Sequence, residues 1–516
     1  MNLHRIKDFI KLNRHEFIAF ILFCLITITV SCFHECWFDE LHSWAIAKDN
    51  LYNIIFSIPH FEGFPPFWYL LLKIFNTFNF SPDFGLKIPN LIIMFTAIWI
   101  LIFKSPFPKI LRLTLPFTYY LIYQYSIVSR PYCILILGLF LAGMLHKNRD
   151  KHPLKYVAVL SIMAMSSIYG MILSTSIAIL WAIDIITKKI HIKTFVTKDK
   201  RFFALLFLCL FCFSISLIIF PDSNATATTR FTHLIKWQRL VYFIVGLPAD
   251  AVAFNVFNYN TADNTNIFNL YTDVAWCFGA IFMLSVIRIF IHNKRLNLLL
   301  FLYVPITVFM AKCYIHPHHI GIITIIFIYI FWCLKEENEQ NDILMNNKLL
   351  KYYILFAIAI QIYYSTYSII TDIKWPYSSS KEVVNYIKEH NLQNYNIAVV
   401  PSITWFPVEI DSYFNDNIFL TYNKSTLGKF YVVHNTEIYK NKLEVYATWH
   451  RNGDIDILIS DKPLYENGDF DYNRFELLKH FCYGKIYKSK HKDDEIYIYM
   501  NRNLTLKKDS YNKEKS

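Results

Sequence analysis

The sequence predicts a polytopic α-helical membrane protein with a small α/β domain at its C-terminal end. Three observations lead there. Of 516 residues, 55% are hydrophobic and 17% charged, against roughly 25% charged in an ordinary soluble domain. Apolar runs long enough to cross a hydrocarbon core of about 30 Å recur through residues 17–370. From Thr371 onward charged residues become frequent and no further spanning run occurs.

The formal charge of +12 would suggest nucleic acid in a soluble chain. Here the Lys and Arg residues sit in short loops between apolar runs, as the orientation rule for cytoplasmic loops demands, so no nucleic-acid partner is expected. Arg5, Lys7, Lys11 and Arg14 keep the N-terminus inside. The first span, near 17–33, emerges outside into a long loop, residues 34–86. Within it, Leu41 to Phe56 has helical apolar spacing, and Pro66 to Phe80 is short, aromatic and interrupted by Lys73. Both are expected as helices lying on the membrane surface. Were the second to cross, Lys104, Lys109 and Arg112 would fall outside, against the charge rule.

Further spans are then expected near 87–103, 110–125, 131–145, 154–169, 171–187, 202–220, 273–291, 296–312, 315–334 and 350–370, about eleven in all. Residues 188–201 form a basic inner loop, and 221–272 a polar outer loop rich in Asn, Thr and Asp. The transmembrane domain thus covers residues 1–370. Residues 371–516 form an extracytoplasmic domain, with an amphipathic helix at Lys381 to His390. Its strands are expected at Asn396 to Val400, Asp454 to Ile459, Lys485 to Lys488 and Glu495 to Met500.

Chemistry is suggested where polar residues gather at span ends. Asp39 and Glu40 follow the first span, framed by Trp37, Phe38 and Trp44. A solvated acidic pair is one reading. The other is a desolvated carboxylate beside a like charge, which can act as general base. His60 and Glu62 project from the rigid turn Gly63-Phe64-Pro65-Pro66, either into water or, because one loop joins them, towards Asp39 as substrate contacts. Arg130 stands before Pro131 and Tyr132 at the outer start of a span, against the orientation rule, where it either snorkels or binds phosphate, with Tyr132 a candidate substrate contact beside it. Lys87 has the same ambiguity. His316, His318 and His319 lie near Lys312, but their spacing matches no helical metal pair, so a phosphate or sugar contact is preferred to a metal. The N-terminal end of the following span favours an anion there. No motif requires a cofactor; a divalent cation remains compatible.

Phe38-Asp39-Glu40, Gly63-Phe64-Pro65-Pro66-Phe67-Trp68-Tyr69, Gly85-Leu86-Lys87-Ile88-Pro89 and Ser129-Arg130-Pro131-Tyr132 together resemble GT-C fold glycosyltransferases. That group contains protein O-mannosyltransferases and the aminoarabinose transferase of lipid A. The resemblance covers the first 150 residues, and the remainder by architecture. It implies an inverting transfer of a hexosyl- or pentosyl-type sugar from a polyprenyl-phosphate donor to a glycan, lipid or protein acceptor, at the outer face of the cytoplasmic membrane. Asp39 would be the base with Glu40 in support, and Arg130, Lys87 and the His318 region would hold the departing phosphate. Lys87 and His318 stand where the family has arginine, and lysine lacks the bidentate fork. A transporter, flippase or polymerase of lipid-linked saccharides is the alternative. Transporters place ionisable groups near the midplane and repeat in halves; here the candidates lie at span ends and no halves repeat.

Overall fold

The computed structural model describes residues 11–187, 192–222, 241–254, 270–313, 315, 317–338, 347–399, 406–415, 417–419, 453–464, 474–487 and 490–504. Helix α1 spans Arg14–Phe33. It buries Phe23, Thr27 and Val30 and exposes Ile18, Ile21, Leu22, Leu25 and Ile28. A helix apolar on its outer face as well as its inner one suits a lipid surround.

The long loop that follows is ordered. Helix α2, Phe38–Ala47, begins three residues earlier than its apolar spacing implies, because Glu40 caps it by accepting from the Trp37 backbone N–H at 2.8 Å. A π-turn at Asn53–Ser57 and a short helix at Pro59–Glu62 follow. The latter ends on Gly63, whose φ of 67° is the left-handed conformation glycine adopts without strain. Helix α3 is Phe67–Thr77, and α4 is Pro82–Lys104.

The span expected near 110–125 is not one helix. A short helix at Lys109–Thr114 gives way to a 3-10 turn containing Pro116 and then a π-turn at Tyr120–Gln124. Proline there removes a donor and clashes with the preceding turn. Past the π-turn, the carbonyls of Tyr125 and Ser126 accept from the buried Asn90 side chain at 3.1 and 2.9 Å. Irregular backbone of this kind is tolerated at membrane depth only when protein covers it.

Helices α5 (Tyr132–Leu145), α6 (Pro153–Ala164), α7 (Ile168–Thr187) and α8 (Lys200–Ile218) continue the bundle. The expected polar outer loop at 221–272 is also corrected. Within it, Tyr242 to Phe254 is a helical segment with Tyr242, Phe243, Leu247 and Asp250 buried, and Leu270 already begins the next helix. The Tyr242 hydroxyl donates to Asp250 at 2.9 Å, which lets one acid enter an otherwise apolar stretch. Helices α9 (Leu270–His292), α10 (Leu296–Lys312), α11 (Pro317–Glu337) and α12 (Lys348–Lys374) complete the bundle. By length and composition, seven described helices can cross a membrane: α1, α4, α7, α8, α9, α11 and α12; α5, α6, α10 and the 242–253 segment are apolar but shorter. The protein is therefore a multi-pass helical one, and among the described residues the full-length apolar helices are fewer than the eleven runs expected. Helix α11 is the central post, 89% of its apolar window being buried.

Beyond α12 lies the small domain. Helix α13, Ser380–Glu389, packs Val383, Val384 and Ile387 on the sheet. Strand β1 is Ile397–Val399; a short helix α14, Phe406–Asp411, follows. Strands β2 (Ile457–Ser460), β3 (Phe475–Tyr487) and β4 (Lys490–Asn501) complete a sheet of order β1-β2-β4-β3. β1 runs parallel to β2, and β4 pairs antiparallel to β2 and to β3. Of the expected short strand at Lys485 to Lys488, residues 485–487 are the far end of the longer β3, and Lys488 lies outside the described residues.

This domain rests on α2. Lys48 Nζ donates to the Ser412 and Phe414 carbonyls at 2.7 and 2.6 Å, and Ser412 Oγ donates to Leu41 O at 3.0 Å. Glu35, buried, accepts from the backbone N–H groups of Tyr377 and Ser378 at 2.8 and 3.2 Å.

Candidate active site

Once α2 begins at Phe38, residues three and four apart share a face, so Asp39, His42 and Ser43 point the same way. All three line a cavity of about 340 Å³. Phe61, Phe64, Tyr69, Tyr169 and Phe309 form its aromatic walls, and Glu62, Arg130, His318 and His319 its remaining polar ones. Apolar walls with a few fixed polar groups are the usual make-up of a small-molecule site.

Arg130 reaches Asp39 across the chain. Its Nη1 lies 2.5 Å from Asp39 Oδ2; the Asp39 side chain is 41% exposed and the Arg130 side chain 12%. Arg130 comes from the segment linking the π-turn to α5, and Glu40 fixes that segment. Glu40 is fully buried and accepts from the Ser129 backbone N–H at 2.7 Å. The same carboxylate lies 3.0 Å from His34 Nε2, and His34 Nδ1 lies 2.8 Å from Asp372. Burial opposes charge on His34, but Asp372 and Glu40 outweigh it and push its pKa up to about 9. One buried chain, Asp372–His34–Glu40–Ser129, thus ties the ends of α12 and α1 to α2 and to the Arg130 segment. Glu40, expected beside Asp39 at the reaction, instead turns away from the cavity. It positions both partners of the Asp39–Arg130 pair.

Across the cavity His318 and His319 open α11. The Tyr125 hydroxyl donates to the His318 carbonyl at 2.6 Å, and the His319 ring lies 5.1 Å from that of Tyr169. Tyr132, expected as a substrate contact, is buried behind the histidines, 5.8 Å from the His319 ring, and is not part of the cavity lining. Glu62 meets His42 at 3.1 Å.

Two further expected residues fall elsewhere. His60 Nδ1 bonds the Phe220 carbonyl at 2.5 Å, fastening the first loop to the end of α8. Lys87 lies in the second turn of α4. Its Nζ donates to the His34 carbonyl at 2.6 Å and pairs with Asp83 at 3.7 Å, so its charge stays under α2 and outside the cavity. His316 lies outside the described residues.

His42 and Tyr169 were not picked out by sequence, and Tyr69 only as the end of the aromatic turn motif. The signal for His42 was its i+3 relation to Asp39, hidden because the apolar spacing starts the helix at Leu41. His42 with Glu62, and His318 with His319, are donors of the kind a divalent cation takes. Among the described residues no three of them converge on one point.

The other ends of α5 and α11 carry a different cluster. Asp184 accepts from Arg149 at 2.7 Å and Arg295 at 2.8 Å, while Glu337 pairs with Arg295 at 2.6 Å and His146 at 2.8 Å. The bundle is thus clamped by ion pairs at one end and opens into the cavity at the other. No family model matches the chain, and no curated protein matches its sequence.

Proposed function

We propose that this chain is a membrane glycosyltransferase that moves a sugar from a polyprenyl-phosphate donor to a hydroxyl acceptor, with inversion, at the outer face of the cytoplasmic membrane. The observation that carries the reading is the Asp39–Arg130 pair in the wall of the 340 Å³ cavity. An arriving donor phosphate competes with Asp39 for the guanidinium, since Arg suits phosphate oxygens. Asp39 is then released towards the acceptor hydroxyl. The acceptor oxygen forms a bond to the anomeric carbon, and the bond from that carbon to the phosphate oxygen breaks. The electron pair leaves with the polyprenyl phosphate, and the acceptor proton passes to Asp39. His318 and His319 face the departing phosphate from the start of α11, whose dipole favours an anion. The aromatic walls offer flat apolar surface to the sugar ring.

Charge supports this orientation. Lys104, Lys109, Arg112, Lys147, Arg149 and Lys151 lie at helix ends away from the cavity lining, and the rule for basic residues favours that end inside and the cavity outside. Of the acids within apolar helices, Asp184 is held by two arginines at the helix end away from the cavity, and Asp250 accepts from the Tyr242 hydroxyl. That favours an enzyme over a carrier. The test is mass analysis of envelope glycans and lipids from cells with and without the gene. A sugar missing from one glycan or lipid, with its polyprenyl-phosphate form accumulating, supports the reading; unchanged profiles overturn it.

A further inference from the structure

The hairpin of β3 and β4 extends past the sheet. Strand β2 pairs with β4 only from Tyr497 to Met500, whereas β3 and β4 remain paired out to Tyr487 and Lys490. A two-stranded ribbon is marginal in water without support. At the point where the ribbon leaves the sheet, His480 and Cys482 sit two residues apart on one face of β3. Glu495 is the cross-strand partner of Cys482.

We propose that His480, Cys482 and Glu495 form a zinc site that cross-links the hairpin where it leaves the sheet. Their ligand atoms all lie within 4.8 Å of one another. His480 Nε2 is 3.8 Å from Glu495 Oε2, and Cys482 Sγ is 3.9 Å from Glu495 Oε1. Bonds of 2.0–2.3 Å at tetrahedral angles put ligand atoms about 3.3–3.7 Å apart, so small side-chain rotations complete the site. Thiolate, imidazole and carboxylate are the donor types zinc takes.

A second observation supports the assignment. Tyr497 touches two of the three ligands from behind. Its hydroxyl donates to Glu495 Oε2, and its ring stacks on His480 with centroids 4.2 Å apart and planes 8° apart. Metal sites are oriented by such outer contacts. His480 and Cys482 are exposed and Glu495 is partly so; three protein ligands leave a fourth position for water. Binding takes the proton from the Cys482 thiol and releases it to solvent.

The test uses the full chain in detergent, purified through a tag without histidine, and titrated with cobalt(II) and then zinc(II). The expected result is one cobalt per chain, with a thiolate-to-cobalt charge-transfer band and visible bands of tetrahedral strength, bleached when zinc displaces it. Cys482→Ser removes the charge-transfer band. Glu495→Gln lowers affinity at least tenfold, and Tyr497→Phe lowers it about tenfold through loss of an outer contact. Zinc slows proteolysis of the hairpin in the wild type and has no effect in Cys482→Ser. Failure to bind cobalt stoichiometrically, or a band that survives Cys482→Ser, overturns the proposal. A zinc effect on proteolysis that is unchanged in both Cys482→Ser and Glu495→Gln does so too.

Discussion

The Ser129 backbone N–H donates to Glu40 Oε1 at 2.7 Å across 89 residues of chain. That bond sets Arg130 against Asp39, because Asp39 precedes Glu40 on α2 and Arg130 follows Ser129. Each pair is sequence-adjacent, so fixing the buried partners fixes the pair in the cavity.

Glu40→Gln therefore tests position rather than chemistry. The amide puts a donor where the Ser129, Trp37 and His34 groups converge. Breaking a buried ionic arrangement costs about 3–5 kcal/mol. The expected outcome is a clear fall in Tm, together with lost activity, measured on the purified protein.

Arg130→Lys keeps the charge but loses the fork. Lysine cannot grip the arriving phosphate through a planar pair of donors. A rise in KM for the lipid-phosphate donor of about tenfold, equivalent to about 1.4 kcal/mol, is expected. Steady-state kinetics at varied donor concentration measure it.

Glu35 makes the docking of the small domain pH-dependent. Burial raises its pKa to about 7, with Glu409 adding to the rise while the Tyr377 and Ser378 N–H groups and Lys381 oppose it. A carboxyl raised in the folded state contributes most when protonated, so stability falls as pH rises from about 4.5 to about 7. His34, raised to about 9, adds a second fall between about 6.5 and 9. Glu35→Gln should flatten the first slope and leave the second, as read from Tm against pH.

Gly85→Ala probes the packing under α2. A Cβ at position 85 would collide with the Trp44 ring, itself 1% exposed. Overpacking of this kind costs about 1–3 kcal/mol. A lowered Tm, with activity falling further than stability alone explains, would show that the collision moves the helix bearing Asp39.

Much of this was legible in the residues. Apolar length gave the bundle, and the aromatic turn at Gly63 to Tyr69 gave the first loop. Asp39, Glu62, Arg130, His318 and His319, scattered over 280 positions of sequence, do line one cavity. What misled was local. Pro116 broke a run that hydropathy scores as continuous, since hydropathy counts side chains and not backbone donors. Tyr242 to Phe254 was hidden within a polar stretch. Lys87 and Glu40 looked like site residues because charge near a span end suggests ligand binding. Their partners, the His34 carbonyl and the Ser129 N–H, are backbone groups that no sequence pattern marks.

The central claim is that Asp39 takes the acceptor proton. Its side chain is 41% exposed, so Asp39→Asn should leave folding intact. The decisive measurement is the initial rate of sugar transfer by this variant and the wild type in proteoliposomes with matched Tm. A fall of about 10²–10⁴-fold at saturating donor, with donor affinity not weakened, is expected for a lost general base. Transfer by Asp39→Asn at the wild-type rate would contradict the account.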